Sequence, residues 1–70
     1  MGGEQERALS AFDEALKLDP QMPEAYYNRA VVYLLKQENL KAIPDLSKAG
    51  ELGIFRAYNL LKQAKASLDE

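Results

Sequence analysis

The 70-residue sequence predicts an all-α fold, in which four short helices pack as antiparallel helical hairpins within a single domain, residues 1–70. Two observations support this prediction. Apolar residues recur every three to four positions along four successive segments, which is the spacing of one helical face. Proline, asparagine and glycine separate these segments, and the connections they leave are so short that consecutive helices are expected to run antiparallel.

The first helix is expected over residues 4–18, EQERALSAFDEALKL, after three flexible residues, 1–3. Its apolar face includes Phe12, and Glu4 suits the positive N-terminal end of the helix dipole. Pro20 ends the helix, because proline lacks an amide hydrogen and disfavours helical geometry in the residue before it.

The second helix is expected over residues 23–37, with Pro23 at the first helical position, where a missing amide hydrogen costs nothing. Apolar residues surround this helix on nearly every side, most densely in the run AVVYLL, residues 30–35. A helix that is apolar all round is normally covered on several sides. We therefore expect it to lie centrally, or to keep one face for a partner.

The third helix is expected over residues 40–51, with Asn39 as its N-cap and Gly53 at its C-terminal end. Pro44 falls inside its first turns and removes one backbone hydrogen bond, so we expect a bend or a loosened turn there. The fourth helix is expected over residues 54–68. Its polar side carries Arg56, Lys62 and Lys65.

The first and third helices repeat one pattern of small and large apolar residues. The matched pairs are Ala8 and Ala42 (42 − 8 = 34), Phe12 and Leu46 (46 − 12 = 34), and Ala15 and Ala49 (49 − 15 = 34). A fixed period that keeps small and large positions in phase indicates that one supersecondary unit is used again.

This pattern resembles that of the tetratricopeptide repeat (TPR) family. The second-helix half of the family motif reads here as Ala8, Phe12, Ala15 and Pro20, and the first-helix half as Tyr26, Arg29, Ala30 and Tyr33. The next second-helix half reads Ala42, Leu46 and Ala49. The resemblance covers about one and a half repeats plus a closing helix. It implies a short right-handed TPR-like superhelix, with these residues packed between its helices.

The resemblance also implies a function, because TPR-like arrays bind extended or helical peptides on the concave face lined by their first helices. Carried over to this chain, that face consists of Glu24, Tyr27, Asn28, Val31 and Leu35. An amide such as Asn28 both donates and accepts, and Tyr27 offers a rigid amphipathic surface. Asn28 is also readily interpreted as a solvated residue, and Val31 and Leu35 as part of the core. A clamp for a terminal carboxylate would need Arg56 and Lys62 nearby.

Composition argues against several other classes of protein. The chain has no cysteine and no histidine, so we expect no disulfide, metal site or cofactor, and no catalysis. The carboxylate pairs at 13–14 and 69–70 are expected to be exposed. A net charge of −2 gives no reason to bind nucleic acid or a membrane surface. We expect a cytoplasmic protein–protein interaction module with a protein or peptide partner.

Three alternatives stay open at this stage. The chain could be a self-assembling helical oligomerisation module, for example a homo-dimer formed through an exposed flank of the first helix around Leu9 and Leu16. Arg29 could form an ion pair with Glu24 or Asp45, although we favour a head group that reaches water. The register of the fourth helix against the second is ambiguous.

Overall fold

The computed structural model describes residues 2–68, and within them the chain forms four helices. They are α1 (Gly2–Leu18), α2 (Pro23–Leu35), α3 (Asn39–Glu51) and α4 (Ala57–Leu68). α2 packs against α1 on one side and α3 on another, and α3 packs against α4 as well. The predicted all-α fold of stacked helical hairpins is confirmed.

The first helix begins earlier than predicted. Gly2 and Gly3 are part of α1, whereas the sequence suggested flexible residues before Glu4. The first amides of a helix need no intrahelical partner, so two glycines can extend the first turn at little cost. Met1 lies outside the described residues.

The second helix ends at Leu35, two residues before the predicted end at residue 37. Gln37 adopts the left-handed conformation with φ of 62°. The amide of Glu38 then donates to the carbonyl of Tyr33 at 2.8 Å, and the amide of Gln37 donates to the carbonyl of Leu34 at 3.0 Å. These two bonds form a Schellman motif, which closes the helix without glycine.

This closure also moves the start of α3. The N-cap is Glu38, without a side-chain capping bond, so the prediction of Asn39 as N-cap is wrong. Glu38 is already fixed by the bond to Tyr33, which leaves Asn39 as the first helical residue. α3 continues through Pro44 as one helix, and Pro44 is exposed.

The fourth helix begins at Ala57, three residues after the predicted start at Ile54. Ile54 instead completes the end of α3, since its amide donates to the carbonyl of Ala49 at 2.9 Å beside Gly53, whose φ is 117°. α4 therefore starts 34 residues after Pro23, the start of α2 (57 − 23 = 34). The register of α4 against α2, which the sequence left ambiguous, is therefore the same 34-residue spacing that relates α1 to α3.

The buried cluster at the centre of the stack is built almost entirely from alanine. It consists of Ala30, Ala42, Leu46, Ala49, Ala57 and Ala64. Ala30 on α2 and Ala42 on α3 are both 0% exposed. Tyr26 and Tyr33 pack around this cluster. Small residues on facing helices let the backbones approach closely, so larger side chains close the gaps around them.

Residues of the same pattern are less buried in α1. Ala8, Phe12 and Ala15 are partly exposed, whereas their counterparts in α3 are fully buried. α3 lies between α2 and α4, but α1 has α2 as its packing neighbour. Pro20 is exposed beyond the end of α1, where its carbonyl accepts a hydrogen bond from the hydroxyl of Tyr26 at 2.9 Å.

Arg29 connects three helices. Its Nε and Nη2 donate to the two carboxylate oxygens of Asp45 on α3, both at 2.7 Å, and its Nη1 donates to Asp13 on α1 at 2.8 Å. Asp45 is only 4% exposed. The hydrogen bonds to Asp45 raise the pKa of Arg29 above its ordinary value. The favoured prediction of a water-facing head group is wrong, and the alternative pairing with Asp45 is observed.

A second ion pair ties the end of α2 to α1. Lys36 Nζ donates to the carboxylate of Glu6. This bond raises the pKa of Lys36. Because the folded-state pKa is the higher one, the stabilisation is present below the ordinary lysine pKa of about 10.4 and is lost as pH rises through the raised value.

The contact between α3 and α4 depends on a glycine. A Cβ placed on Gly50 would lie 2.5 to 2.8 Å from three ring atoms of Tyr58. Such distances are shorter than van der Waals contact, so any side chain at this position would displace the ring. Glycine lowers the helix propensity of α3 at position 50. Its missing side chain, however, lets the backbone contact the Tyr58 ring directly.

We predict that Asp45→Asn lowers the free energy of unfolding by about 2–3 kcal/mol, because it removes the buried carboxylate that pairs with Arg29 through two hydrogen bonds and leaves the half-exposed Asp13 as its remaining charged partner. Asp13→Asn is the matched control. It removes the exposed carboxylate on the other side of Arg29 and should cost less than about 1 kcal/mol. Urea titration followed by circular dichroism measures both values. Equal losses would show that Asp45 does not dominate the network.

We also predict that the effect of Gly50→Ala depends on Tyr58. In a Tyr58→Ala background, alanine should stabilise α3 by about 0.5–1 kcal/mol through helix propensity alone. In the wild-type background this gain should be cancelled or reversed, because the ring has to move. A double-mutant cycle in urea gives the coupling, and a coupling near zero would contradict the contact.

Candidate functional site

The five residues predicted to bind a partner lie along one side of α2, at spacings of three to four residues. Glu24 and Asn28 are exposed, Leu35 is 68% exposed, and Tyr27 and Val31 are partly buried. All five therefore reach solvent at least in part. Tyr27 also packs against the central cluster, so its ring is held in place from below.

Arg56 lies over the ring of Tyr27. Its guanidinium carbon is 4.9 Å from the ring centroid, within the range of a cation–π contact. Arg56 belongs to the turn before α4, whereas the sequence analysis placed it on the polar side of that helix. Applying the 34-residue period to Pro23 would have put the helix start at Ala57 and Arg56 in the connecting turn.

The shared register relates α4 to α2 position by position. Ala64 is buried like Ala30, 34 residues before it (64 − 30 = 34), so residues 34 apart occupy equivalent sides of the two helices. By this register Lys62 corresponds to Asn28 and Lys65 to Val31, and both lysines are exposed. The side of α4 that corresponds to the predicted side of α2 is therefore basic.

These two sides and the turn between α3 and α4 are called the α2–α4 face below. Its members are Glu24, Tyr27, Asn28, Val31, Leu35, Arg56, Lys62 and Lys65. It carries three positive charges and one negative charge, a sum of +2, although the whole chain carries −2. The ion pairs among the described residues involve other basic residues, namely Lys17, Arg29, Lys36 and Lys41. The residues of the face therefore carry a net positive formal charge beside an aromatic ring.

Two shallow recesses lie away from this face. One of about 440 Å³ lies between α1 and α2, lined by Ser10, Asp13, Glu14, Leu16, Lys17 and Arg29. Another, of about 320 Å³, is lined by residues 37–41 and Leu68. The predicted partner-binding residues line neither of them. In residues 2–68, no three His, Cys, Asp or Glu side chains lie close enough to hold a metal ion.

Asp13 and Glu14, the first of the two carboxylate pairs expected to be exposed, are exposed and engaged in ion pairs. Asp13 accepts the hydrogen bond from Arg29, and Glu14 lies 3.6 Å from Lys17 Nζ. The pair at residues 69–70 lies outside the described residues. What the described surface offers is an aromatic ring, a stacked guanidinium, an amide and two lysines, a set suited to binding.

Comparison with known proteins gives both a family and relatives. A family model described as TPR repeat matches residues 2–37, which is 36 of the 70 residues (37 − 2 + 1 = 36). DnaJ homolog subfamily C member 3 from Bos taurus is 43% identical over 70 residues, covering 90% of this chain and 14% of the relative. The Homo sapiens protein of that name is 41% identical, with the same coverage. The Gallus gallus protein is 44% identical over 64 residues, covering 83% of this chain and 13% of the relative.

The chain spans about one seventh of the length of these relatives. No solved structure gives a significant match to it. The family match begins in α1 and ends just after α2, so it covers the helices that carry Phe12, Tyr26 and Ala30. Together with the stacked helical hairpins and the 34-residue period, this match shows that the chain belongs to the TPR repeat family.

Proposed function

We propose that the chain is a protein–protein interaction module that binds a short partner segment on the α2–α4 face and has no catalysis of its own. The observation that carries this proposal is the stacking of Arg56 on Tyr27. The stack joins an apolar contact surface on α2 to a positive charge from the turn before α4. A scaffolding role follows from the same arrangement, because a partner bound to this surface would contact two successive first helices, α2 and α4.

The chemistry of the face indicates the chemistry of the partner. Tyr27, Val31 and Leu35 offer apolar contacts, and the amide of Asn28 can pair with an extended backbone. Arg56 is held by the ring with its N–H groups free of intramolecular ion pairs among the described residues, and a planar guanidinium suits a carboxylate. We therefore expect a segment that has at least one large apolar side chain and at least one carboxylate.

Basic residues at Lys62 and Lys65 extend this preference along the face. Their contribution is expected to be mainly long-range, since exposed charges accelerate encounter and select the sign of the partner more than they raise affinity. A salt-dependent association rate is the physical signature of such a surface.

The relatives limit how far the proposal reaches. They are DnaJ homologues by name, and this chain corresponds to a small part of each, so their activity as whole proteins is not carried over. None of the helices that the structure describes is long and apolar enough to cross a membrane. The cytoplasmic location expected from the sequence stays a prediction.

Selection from a displayed library of random 12-residue peptides tests the proposal directly. The wild-type chain is the bait, and Tyr27→Ala serves for counter-selection. We predict enrichment of peptides that combine an apolar residue with Asp or Glu, and Tyr27→Ala should raise their Kd about tenfold or more, as expected for a central aromatic contact. Calorimetry gives the Kd values, and circular dichroism checks that the helices persist.

Tyr27→Phe is the matched control, since it keeps the ring under Arg56 and removes only the hydroxyl. It should bind within about threefold of the wild type. Equal affinity of the wild type and Tyr27→Ala would exclude the α2–α4 face as the binding surface. Enrichment of basic or purely polar peptides would contradict the assigned partner chemistry.

We further predict that Lys62→Gln slows association with a selected acidic peptide and weakens its salt dependence, because it removes one charge from the face. Lys41→Gln is the control, since it removes one exposed lysine from α3, outside the face. Stopped-flow measurements at several salt concentrations give the association rates. Identical salt slopes for the two variants would mean that only net charge matters, not the position of Lys62.

A further inference from the structure

An apolar strip of α1, next to the side that packs on α2, is covered only in part by the described helices. Its members lie on one side of the helix: Ala8, Ala11, Phe12, Ala15 and Leu18, called the open α1 flank below. Ala11 is exposed and Leu18 is 87% exposed. At the corresponding positions of α3, Ala42, Leu46 and Ala49 are 0% exposed, because two helices cover α3.

This flank differs from the one that the sequence suggested. Leu9 is only 7% exposed, and Leu16 is partly buried beside the recess between α1 and α2. Leu9 therefore belongs to the packed side of α1, and the prediction that it lies on an exposed flank is wrong. The uncovered side begins about a quarter turn further round the helix, at Ala8 and Phe12.

Charged residues beside the open α1 flank would meet opposite charges on a second copy of the chain in one arrangement of the two α1 helices. Arg7 and Glu14 are both exposed and lie two turns apart along the same edge of the flank. When a second α1 runs antiparallel and crosses between residues 10 and 11, Arg7 of each copy faces Glu14 of the other (7 + 14 = 10 + 11). A parallel arrangement would place Arg7 against Arg7 and Glu14 against Glu14, which is repulsive.

We propose that the open α1 flank binds the same flank of a second copy of this chain, with the two α1 helices antiparallel about a two-fold axis. Such an interface is isologous, so one surface serves both copies and the assembly closes at two. Ala8, Ala11 and Ala15 let the two backbones approach closely. Phe12, which corresponds to the buried Leu46 of α3 in the 34-residue repeat, then packs beside this contact.

The proposal is independent of peptide binding on the α2–α4 face. The open α1 flank shares no residue with the α2–α4 face, so the two proposed contacts use separate side chains. Failure of one proposal therefore leaves the other standing.

Sedimentation equilibrium of the whole chain over a wide range of concentration tests the proposal. We expect the mass to rise from 7.8 kDa towards twice that value. Ala11→Glu places a carboxylate in the centre of the flank and should shift the equilibrium to monomer, raising the dimer Kd about tenfold or more. Ala66→Glu makes the same change at an exposed position on α4 and should leave the Kd unchanged.

Charge exchange tests the antiparallel geometry without placing a charge in the apolar surface. Arg7→Glu alone and Glu14→Arg alone each bring like charges together, so each should be mostly monomeric at concentrations where the wild type is dimeric. An equimolar mixture of the two variants restores opposite charges at both contacts and should form a dimer again.

Several outcomes would overturn the proposal. A wild-type mass that stays at the monomer value at every concentration excludes the dimer, and growth beyond two copies excludes the closed two-fold arrangement. A mixture that dimerises no better than the separate variants excludes the pairing of Arg7 with Glu14. Circular dichroism of each variant ensures that a loss of dimer is not a loss of fold.

Discussion

Close approach of helices at alanine and glycine is the constraint on which the rest of this structure depends. A chain of 70 residues without cysteine has neither a large core nor a disulfide to stabilise it. Its buried cluster is five alanines and one leucine, so dispersion between nearly touching backbones replaces the interlocking of large side chains. The 34-residue period reflects this constraint in the sequence, because it places a small residue at each point where two helices cross.

Packing between small residues does little to fix the rotation of one helix against another. The hydrogen bonds of Arg29 fix it. A guanidinium that is bidentate to Asp45 on α3 and also bonded to Asp13 on α1 fixes the rotation of α2 between its two neighbours. An alanine-lined contact alone would tolerate sliding by a turn. The ion pair would be broken by such a slide, which leaves a buried charge uncompensated. Arg29 thus makes one register much more stable than its neighbours.

The sequence was sufficient for the features that depend on local pattern. The four helices, the small positions and the end of α3 near Gly53 could all be predicted, because periodicity and glycine act within a few residues. Features that depend on distant residues could not. Asp45 is 16 residues from Arg29, and its choice as partner requires the crossing of α2 and α3 to be known.

Two further errors concern the ends of helices, where the backbone conformation of one residue decides the boundary. The end of α2 is set by a left-handed Gln37, a conformation that residues other than glycine seldom adopt. The start of α4 was placed at Ile54 because that residue is apolar, whereas its role is to close α3. In the candidate site the five α2 residues come from the repeat motif and stay a prediction, whereas the position of Arg56 over Tyr27 followed only once α4 was known to begin at Ala57.

The proposed binding surface and the α3–α4 contact are linked. α2 is covered by α1 and by α3, and Tyr27 lies on a side of α2 that stays partly open to solvent. The cation on that side comes from the turn before α4, and α4 is positioned by the seating of the Tyr58 ring on Gly50. Any change that moves α4 away from α3 would lift Arg56 off Tyr27 while leaving α2 intact. Affinity for the proposed carboxylate-bearing partner should therefore decline before the helical content does as α4 loosens from α3, since local contacts open before the helices themselves unfold.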